Sequence, residues 1–423
     1  MGFLMNKGIL EFKDSKIAWI GQIPKHWEVK KLKYVLNERK ENNKPIKTDF
    51  ILSLTNEKGV IPYGEKGAQG NISKDDLSGY KIAYPNDIVL NSMNVVIGSV
   101  GLSKYYGAIS PVYYALYEKQ GSNIKFYNYI FQTSVFQNSL KGLGNGILEI
   151  RMRIPMSNLN NVYLPVPPFA EQERIAEFLD KKCASIDSSI ENLEQKTKSL
   201  AEYKKALITQ CVTKGLNPKN MEFKDSQIPW IGQIPKHWEI SKIKYVAKIR
   251  SENSSFNAEN DKYIGLENVA GYLNSLIETN TEYENSIQAV CKKGDILFGK
   301  LRPYLSKVII APFNCFCSSE FLQFINLKCY FKFFYYFLLN KNFIENVNSS
   351  TYGAKMPRAN SNYIMNLNFL VPPLNEQKEI AEILDKKCEK IDRLNENYTK
   401  QIATLKEYKK SLIYECVTGK KEI

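Results

Sequence analysis

Apolar residues recur at every seventh position along one stretch of this chain: Leu179, Ile186, Leu193, Leu200 and Leu207, with Cys183, Ile190 and Thr197 forming a second row between them. The stretch follows the pair Pro167-Pro168 and holds no glycine or proline from Glu171 until Gly215. About 40 residues at 1.5 Å each predict ~60 Å of helix with one apolar seam. After Pro372-Pro373 the pattern returns as Leu384, Ile391, Tyr398, Leu405 and Leu412, with Cys388, Asn395 and Ile402 alongside. A single seam needs a partner. With a whole domain between them, the two helices are expected to pair antiparallel, and Asn395 to fix their register.

Elsewhere the apolar runs are short. Ile88–Leu90, Val95–Leu102 and Pro111–Tyr117 predict strands joined by Gly, Asn and Ser turns, and so do DILFG (Asp295–Gly299), KVIIA (Lys307–Ala311) and EFLQFINL (Glu320–Leu327). An aromatic helix is expected after each set, at Phe126–Phe136 and Phe331–Phe343.

These elements belong to a repeat. WIGQIPKHWE occurs at Trp19–Glu28 and again at Trp230–Glu239. Around it, Glu11–Val35 matches Glu222–Val246 at 20 of 25 positions, and Pro167–Thr213 matches Pro372–Thr418 at 26 of 47. The intervening regions, 36–166 and 247–371, share little beyond scattered hydrophobic pattern. Each half is domain-sized, so the reading is a tandem duplication and not a solenoid of short repeats. The expected fold is mixed α/β: two globular domains, joined and separated by two long antiparallel heptad helices in a pseudo-two-fold arrangement. The expected boundaries are a first domain at 1–168, a central helix at 169–217, a second domain at 218–373 and a C-terminal helix at 374–423.

At 423 residues the chain exceeds one compact core, which agrees with that division. Charge adds new information: 58 Lys+Arg against 44 Asp+Glu leave +14, with pI near 9.1, which points to an anionic partner, nucleic acid first. No run reaches the roughly 18 apolar residues of a membrane span. The opening MGFLMNKGILEFKDS lacks a signal-peptide core. A cytoplasmic protein that binds no membrane is expected. The eight cysteines form no CxxC pair, and the two histidines, His26 and His237, occupy the same repeat position. Zinc coordination is therefore not expected, the cysteines read as reduced apolar residues, and the histidines as packing beside Trp27 and Trp238.

Catalytic patterns fail one by one. Gly294–Lys300 fits GxxxxGK, but Leu301 stands where magnesium binding needs Ser or Thr, and Pro303 obstructs a phosphate-holding helix. VPPF (Val166–Phe169) and VPPL lack the Asn or Asp with which an adenine methyltransferase holds the target amine. The triplets Glu202–Lys204 and Glu407–Lys409 resemble the end of a nuclease ExK motif without its partnered Asp. No metal or cofactor is expected in this chain.

What remains are polar and basic clusters at equivalent places in the two variable regions. NSMNVVIGSVGLSK (Asn91–Lys104) and GKLRPYLSK (Gly299–Lys307) follow the DIVL and DILF strands. LEIRMRIP (Leu148–Pro155) and GAKMPRAN (Gly353–Asn360) lie just ahead of the long helices. Arg reads guanine bidentately, Asn reads adenine and Lys holds phosphate. The candidate DNA-binding residues are therefore Asn91, Ser92, Asn94, Lys104, Arg151 and Arg153, and Lys300, Arg302, Tyr304, Lys307, Lys355 and Arg358.

The repeated IPxHW segment, the PPxxEQ…IAExLDxKxxxID helix and the GDILxxKLRPYxxK stretch resemble the specificity subunit of type I restriction–modification systems, over essentially the whole chain. The first half departs from the pattern, with DIVLNSM where the family carries a basic stretch. The resemblance implies two target recognition domains, each reading one half of a split, asymmetric site in double-stranded DNA. It implies helices that dock two methyltransferase subunits, a core joined by restriction–translocase subunits, and a bacterial host. It also implies that S-adenosylmethionine, ATP and magnesium serve those partner subunits. The alternative is a non-enzymatic coiled-coil scaffold with two protein-binding domains; the charge and the Arg/Lys turns argue against it.

Overall fold

A computed structural model describes residues 11–56, 58–66, 76–144, 153–353 and 355–423. It is a mixed α/β fold that divides into two compact units, Met1–Asn192 with Gln401–Ile423, and Leu193–Lys400.

In the first unit a four-stranded antiparallel sheet runs in the order Leu36–Arg39, Tyr113–Glu118, Ile88–Asn91, Val100–Leu102. A separate pair joins Glu28–Lys31 to Tyr163–Val166. In the second unit the same order recurs: Lys248–Ile249, Phe321–Ile325, Ile296–Gly299, Val308–Ile310, with Glu239–Lys242 paired to Asn368–Val371. Each unit also holds one matching ribbon, Phe12–Asp14 with Gln22–Pro24 and Phe223–Asp225 with Gln233–Pro235. Among the described residues the other strands differ: the first unit adds two more two-stranded ribbons, whereas the second adds a four-stranded sheet that includes Ser286–Cys291 and Cys315–Cys317.

Two differences from the expected elements have local causes. Val95–Leu102 is not one strand: Val95–Ile97 is a 3-10 turn closed by Gly98 at φ +92°, and only Val100–Leu102 joins the sheet. Glycine accepts that left-handed backbone without the Cβ penalty. Each aromatic helix is two helices. Ile124–Gln132 stops where Thr133 becomes the N-cap of Ser134–Ser139, and Phe331–Leu338 gives way at Asn340 to Lys341–Ser349.

The run after Pro167-Pro168 is a helix, Phe169–Lys214, and its counterpart is Leu374–Val417. Within the first unit, Leu179, Cys183, Ile186 and Ile190 share a core with Leu412, Ile413, Cys416 and Val417, and Lys409 Nζ meets both oxygens of Asp187 at 2.7 and 2.6 Å. Within the second, Leu207, Ile208, Cys211 and Val212 share a core with Leu384, Cys388 and Ile391, and Lys204 Nζ meets Asp392 at 2.6 and 2.7 Å. The EYK triplets thus supply one lysine to each unit's helix pairing. The seam is uneven: Leu193, Leu200, Tyr398 and Leu405 are only half-buried.

All eight cysteines are free, seven of them buried. Burial pushes the Cys388 thiol up to about 11 and that of Cys416 up to about 12, so both stay protonated at neutral pH and pack as apolar groups. Among the described residues no helix is long and apolar enough to cross a membrane, and no cluster of His, Cys, Asp and Glu could hold a metal.

One ion pair braces each sheet. Arg39 Nε and Nη2 donate to Asp87 at 2.7 and 2.9 Å; Arg250 donates likewise to Asp295 at 2.8 and 3.0 Å. Hydrogen bonding to the aspartate holds each guanidinium above its ordinary pKa. In both pairs the aspartate also accepts a backbone N–H three residues upstream, from Tyr84 and Lys292. Side-chain exposure is 14% for Arg250 and 8% for Asp295, so removing the aspartate leaves a largely buried guanidinium with only the exposed Glu252, 3.3 Å from Nη1. Asp295→Ala is expected to destabilise the second unit by about 3–5 kcal/mol, read from denaturant unfolding, and Asp295→Asn by less. A loss below about 1 kcal/mol for the alanine variant would show that the pair is dispensable.

Candidate nucleic-acid interface

Both units bring the same two segments together at one end of the four-stranded sheet. In the second unit the strand Ile296–Gly299 runs into Lys300, and the Ala359 N–H donates to the Lys300 carbonyl at 3.0 Å. The Arg302 N–H donates to Pro357 O at 2.7 Å, and Leu301 bridges to Arg358. In the first unit the strand Ile88–Asn91 runs into Ser92, and the Ile154 N–H donates to the Ser92 carbonyl at 2.9 Å. The two clusters expected from sequence are adjacent in each unit, joined by one equivalent backbone bond.

Each turn is built around a short 3-10 segment: Pro303–Leu305 between Arg302 and Ser306, both at positive φ, and Val95–Ile97 before Gly98. The tip presents apolar side chains, Tyr304 (52% exposed) and Leu305 in one unit and Ile97 (61%) in the other. Arg302 is half-buried, while Lys355 and Arg358 are exposed on the facing segment, where Arg358 pairs with Glu320. Burial holds the Lys300 ammonium below its ordinary pKa, with Glu320 opposing the shift and Arg358 adding to it. The second unit thus combines four cations, one acid and an exposed phenol, a surface suited to phosphate and base edges.

Several expected contacts change. Ser92 is fully buried, and its hydroxyl donates to Val112 O at 2.6 Å, so it holds the turn and cannot read a base. Asn91 is half-buried and accepts the Met93 N–H at 3.0 Å, whereas Asn94 is half-buried at the start of the 3-10 turn. Lys307 Nζ is committed to Leu266 O at 2.6 Å. Lys104 is exposed but lies apart from this turn. The hairpin register pairs Leu102 with Ile88, at the far end of the strand from Asn91. Lys104 and Lys307 are therefore not equivalent: Lys104 follows its strand, whereas Lys307 precedes Val308–Ile310 and its carbonyl accepts the Gly299 N–H, the place that Ser99 holds for Asn91 in the first unit. Arg153 is exposed; Arg151 lies outside the described residues.

The histidines are not buried packing, although His237 shares Glu376 Oε2 with the Trp238 Nε1–H, which donates to it at 3.1 Å. His26 and His237 are exposed and place Nε2 2.9 Å from Glu171 and 2.8 Å from Glu376, at the start of each long helix. Their neighbours Gln172 and Gln377 are buried. Each donates to the carbonyl of the first proline of its Pro-Pro pair and accepts a backbone N–H that leads into the aromatic helix, from Asn123 or Tyr330. Further along, Asp180 accepts Tyr129 and Lys125 at 2.7 and 2.8 Å, and Asp385 accepts Tyr336 at 2.7 Å with Lys332 beside it. The PPxxEQ and LD motifs are thus the fittings that seat each variable region on its helix. The sequence contained these residues; only their partners, more than 40 positions away, were invisible.

Residues 24–200 and 235–404 match the family of the type I restriction modification DNA specificity domain. The chain is 25% identical to the type I restriction enzyme MjaVIII specificity subunit of Methanocaldococcus jannaschii, over 94% of each chain. It is 24% identical to the EcoDI specificity subunit of Escherichia coli, over 80% of this chain and 78% of that one. Among solved structures, a chain from work on complex assembly and conformational transition of the type I R-M system superposes with TM-score 0.70 at 14% identity, over 93% of this chain and 98% of that one. The HsdS subunit of Thermoanaerobacter tengcongensis superposes with TM-score 0.55 at 14% identity, covering 94% and 98%. At such identity the structures speak for the fold alone.

Proposed function

We propose, from the premise that this chain belongs to the type I restriction modification DNA specificity family, that each of its two units reads one half of a split DNA site. The chain is the DNA-recognition component of such a system and not a catalytic one. The observation that carries the two-part reading is the double occurrence of one constellation, a 3-10 turn bonded to a second polar segment at the same sheet end. Its side chains differ between the units, as two different half-sites require. The repeated sequence around them supports a tandem duplication, with regions 36–166 and 247–371 as the readers.

On this reading the two long helices are an antiparallel spacer between the recognition regions. The reciprocal pairs Asp187–Lys409 and Lys204–Asp392 support that register. The partners are double-stranded DNA, two copies of a methyltransferase subunit, and restriction–translocase subunits. S-adenosylmethionine, ATP and magnesium act in those subunits, in the cytoplasm of a bacterial cell. Arg302, Lys355 and Arg358 are the leading contacts of the second unit, and Asn94 and Arg153 those of the first.

The test is the methylome of cells that express the methyltransferase subunit with and without this chain. A new modified-adenine motif in two parts, separated by a fixed non-specific spacer, is expected only when the chain is present. Methylation that is independent of the chain would overturn the reading.

A further inference from the structure

Each unit carries a second basic–aromatic surface, at the end of the sheet opposite the reading turn. It is made by KLKYV (Lys31–Val35) in one unit and KIKYV (Lys242–Val246) in the other. Tyr34 and Tyr245 are each 61% exposed, and a lysine lies over each ring, Lys33 at 5.2 Å and Lys244 at 5.3 Å. A further lysine is fastened beside each by one equivalent backbone bond, Lys119 N–H to Val35 O at 3.0 Å and Lys328 N–H to Val246 O at 2.8 Å. An asparagine from the segment before the long helix completes the site: Asn161 accepts Lys31 at 3.2 Å, and Asn366 accepts Lys244 at 2.8 Å. Glu118 is the exposed acid adjacent to Lys119 in the first unit, and Lys248 adds an exposed cation in the second.

Sheet register separates this surface from the reading turn. Asn91 lies opposite Tyr113 and Leu36 lies opposite Glu118, five residues along one strand, or about 17 Å. A duplex engaged by the turn does not need contacts at the far end of the sheet. The Lys-x-Lys-Tyr-Val segment, the lysine over the phenol and the lysine bonded to the following valine recur in both units, although the asparagine takes Lys31 in one and Lys244 in the other and Lys119 Nζ donates to Lys33 O; the reading turns share less. A ligand that meets both must be the same on both occasions. Exposed tyrosines are typical anchors of protein interfaces, where the ring fills a recess and surrounding charges choose the partner.

We infer that the Lys33–Tyr34–Lys119 and Lys244–Tyr245–Lys328 surfaces are two equivalent docking points for two copies of one protein partner, which presents carboxylates around an apolar recess. Resting on the functional reading above, that partner is the methyltransferase subunit, held by the globular units as well as by the long helices. The altered residues are exposed and lie outside both cores, so the fold is expected to persist.

The test uses the full chain co-expressed with its methyltransferase subunit, with native mass spectrometry for stoichiometry and fluorescence anisotropy with a duplex for DNA binding by the chain alone. Lys33→Glu with Tyr34→Ala is expected to weaken one partner at least tenfold and yield a 1:1 complex. Lys244→Glu with Tyr245→Ala should do the same, and the quadruple variant should recover neither copy. DNA binding by the isolated chain should change less than twofold, and unaltered thermal unfolding would exclude misfolding. An unchanged 2:1 complex in the quadruple variant overturns the docking points. Loss of DNA binding with 2:1 assembly intact reassigns them to the phosphate backbone and overturns the proposal as well. A wild-type chain that recovers no methyltransferase subunit overturns the functional reading itself, a result distinct from either.

Discussion

Replacing residues 36–166 with the equivalent region of a relative is expected to change one half of the methylated site completely and to leave the other half as it was. The physical basis is the way this region is seated. Its contacts to the helix run through Asn123, Lys125 and Tyr129, which meet Gln172 and Asp180. The apolar support comes from residues such as Phe126 and Ile130 in the first unit's own core. A donor that keeps those fittings can therefore exchange its reading turns without disturbing Lys300, Arg302 or Arg358, which belong to the other unit. Because each mismatched base pair costs about 1–3 kcal/mol, three or four changed positions shift preference by several orders of magnitude. Methylome sequencing of cells carrying the chimera reads both halves at once. If both halves change together, the units do not read independently.

The second large effect concerns the spacer between the half-sites. Two ion pairs between the helices obey one register: Asp187 meets Lys409, Lys204 meets Asp392, and by the same register Lys196 lies level with Lys400. Inserting four residues after Lys196 and four after Lys400 lengthens the proposed spacer by about 6 Å at 1.5 Å per residue. At about 3.4 Å per base pair that is nearly two pairs. Four residues slightly exceed one 3.6-residue turn, so the apolar stripe stays close to its facing, whereas two residues rotate it by over half a turn and should destabilise the pairing. The expected outcome is an active enzyme whose non-specific spacer is one or two base pairs longer, with both half-site sequences kept. Methylome sequencing decides it: an active enzyme with an unaltered spacer would show that the helices do not set the distance.

Sequence pattern succeeded where a signal was local and periodic. The helix Phe169–Lys214 lay open in a stretch free of Gly and Pro, and the strands Ile88–Asn91 and Ile296–Gly299 in short apolar runs. It failed where one residue outweighed its neighbours. Gly98 turned an apparent strand into a 3-10 turn, and Thr133 and Asn340 each divided an aromatic helix by capping the next one. The candidate site was legible as two pairs of clusters, but not as individual contacts. Ser92 belongs to the polar cluster after the DIVL strand, but its hydroxyl donates to the carbonyl of Val112, in the turn ahead of Tyr113–Glu118.

What the sequence determined by itself was the frame. The repeat, the heptad spacing and the net charge of +14 are properties of residue order and composition, and from them come the expectations of a duplicated architecture and an anionic partner. The tertiary structure decided which polar residues serve the frame and which face outward. Asp87, Asp180, Gln172 and His26 all bind partners on other elements, and Lys104 is carried away from the turn it appeared to share. The reason is physical: side-chain periodicity is set within a few residues, whereas hydrogen-bond satisfaction of buried polar groups depends on whichever segment the fold lays beside them.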